Sequence, residues 1–395
     1  MNLIPVSSST FMKYQEKFLN LVQKIEQKCM KSALSNQPSK NLEIIVDFAW
    51  SHRRNAEEGT FLVISCIDEK VIASEHIQRC PYTNKPGHNI EECEAESCNI
   101  RKFHGSSKGY EGHAAKTVFN RLKQQGYSVK VMIHDKDAST SSHLKSIFPE
   151  AEESFDMGHY KKRITTVLDS LSEMYTSLNG FASKLGTHFK HAASNSTTVS
   201  EFTSSLDAFV PHITGDHSKC SSACKYKTSN TQQLMKLNYE EHTTELVQLK
   251  TIVENIKKDA HKLLGAPSSN VVESVNRMRL KYCDKLRSWR TSYAGRSAMS
   301  ILDKNDGILI WIEEIFQEMN IPIEPRLQQQ LVKRHEQHET MKRKQRTSSV
   351  KHSKYKSKQQ KTWRGSASSN SETYKHSCKC SANTLCNSIK CSCVS

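Results

Sequence analysis

Three sets of residues have the types and spacing that chemistry requires. The first is built on carboxylates. Ser268-Ser-Asn-Val-Val-Glu-Ser-Val-Asn-Arg277 opens a helix, capped by Ser268 or Ser269 after Gly265 and Pro267 have broken the preceding structure. Glu273 then shares a face with Asn276, Arg277 and Lys281, while Val271, Val275, Met278 and Tyr282 form an apolar face. A carboxylate in a first helical turn, followed by amide and basic groups, suits a metal held beside a polyanion. A merely solvated Glu-Arg-Lys face has the same spacing, so the reading rests on partner carboxylates upstream. Two places supply them. Asp47 lies inside the apolar run Leu42–Trp50, where an unpaired carboxylate would be costly, and Asp135-Lys-Asp137 follows the apolar stretch Ser128–His134.

The second and third sets are soft. His212-Ile-Thr-Gly-Asp-His217-Ser-Lys-Cys220-Ser-Ser-Ala-Cys224 spaces two Cys and two His as zinc ligands are spaced. Packed thiols beside surface histidines are the alternative, and the fourth ligand is open between His212, Asp156 and His159. Near the C-terminus Cys378, Cys380, Cys386, Cys391 and Cys393 crowd into C-x-C-x5-C-x4-C-x-C. Thiols this dense in a reducing compartment bind zinc, with a sixth ligand either missing or supplied by His376.

Composition narrows the partner. The chain has 395 residues and a formal net charge of +16, which points to a polyanion. Residues 333–364 hold about a dozen Lys and Arg against two Glu, so much of the excess sits there. That segment is expected to be disordered and to bind DNA phosphates or serve nuclear import; a solubilising tail is the blander alternative. No long apolar run or signal peptide is present, so a soluble intracellular protein without a membrane partner is expected. Thirteen Cys then read as metal ligands or packed thiols rather than disulfides.

The elements that must position these groups follow from periodicity. Residues 8–36 are helical, with Phe11, Tyr14, Phe18, Leu21, Val22 and Ile25 on one face. Strands over 42–50, 59–67 and 71–77 are joined tightly enough for an antiparallel meander. A polar stretch, 80–108, carries Cys80, Cys93 and Cys98. A helix over 110–125, a strand over 128–134, a short helix to Phe148 and a strand near 153–155 complete an α/β pattern. Helical period then dominates 168–185, 199–209 and 232–264, too long for a loop.

With those motifs in order, the chain resembles Mutator/Kolobok-type transposases of the DDE class. Asp47-Phe-Ala-Trp50 with Gly59-Thr60, His104-Gly-Ser-Ser-Lys-Gly-Tyr-Glu111, His134-Asp135-Lys-Asp137, Asp156-Met-Gly-His159, His217-Ser-Lys-Cys220 with Cys224, and Asn270-Val-Val-Glu273 are each similar to a family block. The resemblance implies an RNase H-like mixed sheet flanked by helices, with a large helical insertion before the last catalytic helix. Asp47, Asp135 and Glu273 would hold two Mg²⁺ (or Mn²⁺), and Asp137 would cap a helix or support the site. Which of Asp135 and Asp137 is the ligand stays open, with Asp135 preferred. Asp156 and His159 either position DNA and the metal shell or act as a cap and a packed ring. Arg53, Arg54, Arg277 and Lys281 would meet phosphates.

The expected organisation is an N-terminal helical segment (1–40), a first core part (41–165), a helical insertion with the His/Cys zinc site (166–266) and a last core part (267–328). A basic linker (329–374) and a cysteine-rich, CXC-like zinc tail (375–395) follow. The implied function is metal-dependent cleavage and strand transfer of double-stranded DNA at transposon ends, by a homo-oligomer in the nucleus. Few residues precede the first catalytic strand for reading terminal repeats, so end recognition would fall to the insertion and the tail unless the copy is truncated. A catalytically inactive or domesticated DNA-binding protein is the alternative.

Overall fold

The strand that carries Asp47 is the middle one of five. The computed structural model describes residues 7–52, 56, 58–78, 109–222, 224–228, 237–265, 270–289, 292–337, 339 and 340. Arg53, Arg54, the 80–108 stretch, the Ser268 and Ser269 caps, most of the basic linker and the cysteine-rich tail lie outside them. Strands β1 (Asn41–Trp50), β2 (Glu58–Ser65), β3 (Val71–Gln78), β4 (Ser128–His134) and β5 (Glu152–Phe155) form one mixed sheet in the order β3-β2-β1-β4-β5. β1 to β3 are the expected antiparallel meander, and β4 and β5 join parallel to β1. Parallel addition needs a crossover, supplied by helices α2 (Tyr110–Gln124) and α3 (Ala138–Ile147).

Alternation along β1 assigns its two faces. Ile44, Val46 and Phe48 pack with Phe61, Val63, Val118, Phe119 and Leu144, the core beneath α2 and α3. A Cβ on Gly112 would overlap the Ser139 hydroxyl, so glycine is what lets these two helices approach. Ile45 points the other way, into a cluster with Leu62, Ile64, Ile133, Val272, Val275 and Ile301. That face is covered by α1 (Ser8–Ser35), α11 (Asn270–Arg279) and α12 (Tyr293–Asn305). The cap of α1 is Ser7, one residue before the expected Ser8–Thr10. Gly295 lets α12 lie against α1, since a Cβ there would meet Leu19 Cβ at 2.6 Å.

Between β5 and α11 the chain is helical and builds a core of its own. It comprises α4 (Met157–Met174), α5 (Phe181–Asn195), α6 (Val199–Asp207), α7 (Phe209–Ile213), α8 (Lys225–Thr228), α9 (Thr243–Lys258) and α10 (Ala260–Leu263). Tyr160, Leu168, Phe181, Leu185, Phe189, Phe202, Leu249 and Ile256 meet at its centre, joined to the sheet by Phe155. α4 runs unbroken through the expected boundary at residue 165. Helical period over 168–185 predicted one continuous stretch, but the chain breaks at Tyr175–Gly180. α4 ends at Met174, where Tyr175 turns extended (φ −124°, ψ 92°), and Gly180 at φ 84° is the N-cap from which α5 starts.

Two further expectations are corrected. The buried face of α11 runs through Val272, Val275 and Arg279, not through Val271, Met278 and Tyr282. The linker also does not begin as irregular chain: residues 325–337 are helical. Pro325 presets the first turn, with Gln328 N–H donating to the Glu324 carbonyl, and the Gln- and Leu-rich sequence favours continuation. Before that helix, α13 (Ile308–Glu318) packs its Trp311 and Ile315 against α1. No helix among the described residues is long and apolar enough to cross a membrane.

Candidate active site and candidate metal centre

The parallel register of β1 and β4 brings the first two carboxylates together. Ile45 lies opposite Ile133, so Asp47 and Asp135, each two residues onward, leave the same end of the sheet. By alternation Asp47 faces the side covered by α11. There Asn276 Nδ2 donates to Asp47 Oδ2 at 2.7 Å, which ties residue 47 to a helix more than two hundred residues away. Glu273 stands one turn earlier on that helix, half-buried, with Arg277 Nη2 at 3.3 Å from its Oε2. Arg277 and Lys281 are exposed beside it.

Arg279 fixes the pose of α11. It is 2% exposed, donates from Nη1 to Tyr293 Oη at 2.6 Å, and from Nη2 to the Trp50 carbonyl at 3.0 Å. A buried guanidinium needs such partners. Anchored to the last residue of β1, it rotates the helix so that Asn276 and Glu273 point at the sheet end.

The acidic residues that follow β4 and β5 divide their labour. Asp137 caps α3 by accepting the Thr140 amide at 2.7 Å, and Asp156 caps α4 by accepting the His159 amide at 2.7 Å. The second cap sets the first turn of α4, and so places the imidazole of His159. Its Nδ1 is 3.9 Å from Asp135 Oδ2 and its Nε2 3.5 Å from Glu273 Oε1. The ring stands between the two carboxylates.

A further carboxylate is present that sequence reasoning quoted within a motif but gave no role. Glu111, in the first turn of α2, is pushed up to about 8 by burial and then by the charges of Asp137, Asp135 and Asp47. Asp47 is pushed up to about 7, by burial first and Asp135 second, against His159, the Phe48 amide and Asn276. The signal available was a Glu in a first helical turn directly after Gly-Tyr. Crowded, oxygen-only donors of this kind fit a hard cation such as Mg²⁺ or Mn²⁺. Asp47, Asp135 and Glu273 nevertheless form an open arrangement. Among the described residues the set whose ligand atoms all lie within 4.8 Å of one another is a different one, His212, His217, Cys220 and Cys224.

That set is built within thirteen residues. His212, on α7, lies 3.2 Å from Cys220 Sγ and 3.2 Å from His217, ring nitrogen to ring nitrogen. Cys220 to His217, and Cys224 to each His, measure 3.8 Å. A tetrahedral zinc with Zn–S of about 2.3 Å and Zn–N of about 2.0–2.1 Å has ligand-to-ligand edges of roughly 3.3–3.8 Å. The donors fit it. The Tyr226 ring stacks on His217 at 5.4 Å between centroids, and Lys227 Nζ donates to the Cys220 carbonyl at 3.1 Å, closing the loop. Burial and then His217 lower the pKa of His212, which keeps the ring neutral as a ligand must be. Burial and then Cys224 push the Cys220 thiol up to about 11, a proton that a metal must displace. Of the three candidates for the fourth position, His212 is the one that clusters with His217, Cys220 and Cys224. Asp156 and His159 belong to the sheet end.

The model of the Mutator-like transposase family matches residues 1–226, more than half of the 395-residue chain. No curated protein matches the chain.

Proposed function

The chain belongs to the Mutator-like transposase family, and on that premise we propose that it cuts and joins DNA by a DDE mechanism on an RNase H-like core. One observation carries this reading. α11 lies beyond the matched residues, yet it returns to the sheet end, where Asn276 binds Asp47 and His159 stands between Asp135 and Glu273.

Asp47, Asp135 and Glu273 are the residues that would hold divalent cations of the Mg²⁺ or Mn²⁺ type. Bound there, such cations would supply Lewis-acid stabilisation of the attacking and leaving oxygens at one phosphorus. The chain's own groups orient and neutralise. Asn276 holds one oxygen of Asp47. Asp137 is occupied as a cap, which favours Asp135 as the ligand of the pair. Exposed Arg277 and Lys281, with Arg53 and Arg54, would meet phosphates of the scissile strand.

Zinc held by His212, His217, Cys220 and Cys224 would be structural, because four protein ligands leave no open position. Cys378, Cys380, Cys386, Cys391 and Cys393 would form a second, CXC-like zinc module, and the basic linker would add sequence-independent DNA affinity. Kolobok-type affiliation, action in the nucleus and assembly as a homo-oligomer that pairs two transposon ends complete the proposal.

The test is incubation of the full chain with duplexes carrying the element's own ends. Strand cleavage that needs Mg²⁺ or Mn²⁺ supports the reading. The open spacing of the three carboxylates favours a second one, a DNA-binding descendant without catalysis; tight binding with no cleavage under any divalent cation would establish it.

A further inference from the structure

Asp135-Lys136-Asp137 puts a cation between two acids, and the structure sends that cation away from both. Lys136 adopts φ 68°, a left-handed conformation that a lysine rarely takes. Its ammonium crosses to the helical segment and pairs with Asp259, at the junction of α9 and α10. It lies 5.5 Å from the ring centroid of Phe155 and 5.3 Å from that of Tyr160. Asp259 Oδ2 also accepts from Tyr160 Oη at 2.7 Å.

One turn further, Lys262 makes a second contact. Its Nζ donates at 2.7 Å to Oε2 of Glu153 on β5, whose side chain is 2% exposed, and sits 5.1 Å from the Phe155 centroid. His134, the last residue of β4, approaches the other oxygen of Glu153 at 3.4 Å. His134 first, and then Lys262, hold the Glu153 carboxyl well below the usual range against its burial. A single short helical turn, 259–262, thus grips the chain on both sides of Asp135.

We infer that Lys136 and Asp259 are positioning residues for Asp135, a latch by which the helical segment sets the conformation of the carboxylate-bearing loop. Two effects follow from the geometry. The pair stabilises the left-handed turn that aims residue 135 at Asp47. It also keeps the Lys136 ammonium from neutralising Asp135 in place of a cation. Without Asp259, a relaxed Lys136 is left with Asp135 and Asp137 as its immediate neighbours in the chain. The second effect rests on the metal-dependent reading above; the first does not.

The experiment uses the full chain with Asp259→Asn, with Lys136→Met, which keeps the aliphatic stem over the two rings, and with Asp207→Asn as control. Asp207, at the end of α6, pairs with Lys257 near the end of α9. Hydrogen exchange is read first, with neither DNA nor metal present. Peptides covering 134–140 should exchange roughly tenfold faster in both latch variants, while β2 stays protected and the control matches wild type. Unchanged exchange at 134–140 in a folded variant overturns the latch; if Asp259→Asn does not fold, Lys136→Met decides. Cleavage is read second. Half-saturating Mg²⁺ should rise several-fold in Asp259→Asn, with DNA affinity unchanged, and Asp259→Glu should restore it. A wild-type chain that never cleaves would overturn the proposed function while the exchange result still judges the latch.

Discussion

The two candidate metal sites are built by opposite strategies. At the sheet end the donors come from β1, the β4–α3 turn, α2 and α11, and span residues 47 to 273. In the helical segment they come from one loop of thirteen residues. The His/Cys set is closed and soft, with edges of 3.2–3.8 Å that already suit one tetrahedral ion. The carboxylate set is open and hard, and two of its groups, Asp47 and Glu111, are pushed up to about 7 and about 8. A site that holds a loop shut profits from preformed, saturated ligands. A site that must admit a substrate phosphate cannot be saturated, and its buried carboxylates stay partly protonated until cations enter.

Breaking each site should therefore cost different things. Asp47→Ala, Asp135→Ala or Glu273→Ala is expected to lower cleavage by about a thousandfold or more, with thermal stability equal or improved, because repulsion is relieved. Replacing Cys220 and Cys224 by Ser should remove one zinc per chain and lower the melting temperature by several degrees, while cleavage falls less than about tenfold. Metal analysis of a chain ending at residue 330 reads this site apart from the cysteine-rich tail. If that chain holds no zinc, Cys220 and Cys224 are packing thiols and the comparison fails.

A smaller effect tests what aims the open site. Arg279→Met removes the donors to Tyr293 and the Trp50 carbonyl, and should cost about 2–4 kcal/mol in urea unfolding. Smaller again is the pH dependence. Burial raises Asp47 and Glu111 above their unfolded values, so the folded protein binds more protons than the unfolded chain between about pH 4 and 8. Their stabilising contribution is complete below that window and is lost as pH rises through it, by roughly 1.4 kcal/mol per pH unit for each group while it lasts. Metal-free protein should thus be more stable at pH 5 than at pH 8, and Asp47→Asn should flatten the slope. An unaltered slope would deny the crowding. Least of all, Arg277→Ala should change stability by about 0.5 kcal/mol or less, since its pair with Glu273 is exposed. It should nevertheless reduce the salt dependence of DNA binding by about one phosphate contact.

The difference between the sites also explains what could be read without coordinates. Groups within thirteen residues are visible as spacing, which singled out His217, Cys220 and Cys224 and left His212 as one of three candidates for the fourth place. Asp47 and Asp135 were legible because each is an acid at an apolar strand, and alternation places such residues by counting. Their adjacency followed only from the resemblance, because spacing alone does not give a parallel register between strands some eighty residues apart. The face of α11 was misread by one position. Apolar periodicity counts Val, Met and Tyr as inward, and cannot see that Arg279 is the residue buried, since its partners lie on β1 and α12. Glu111 was passed over for the same reason: its environment is made by three distant acids. The break at Tyr175 is a turn to extended backbone in a segment whose period never lapsed.

The most direct test compares two neighbours. Asp135→Asn and Asp137→Asn should be assayed side by side for Mg²⁺-dependent cleavage of the element's own ends, with DNA binding measured in parallel. The account predicts loss of about a thousandfold or more for Asp135→Asn, and a change below about tenfold for Asp137→Asn, whose amide oxygen can still cap α3. DNA binding should persist in both. Normal cleavage by Asp135→Asn, or cleavage lost in Asp137→Asn alone, would contradict the assignment of the sheet-end carboxylates.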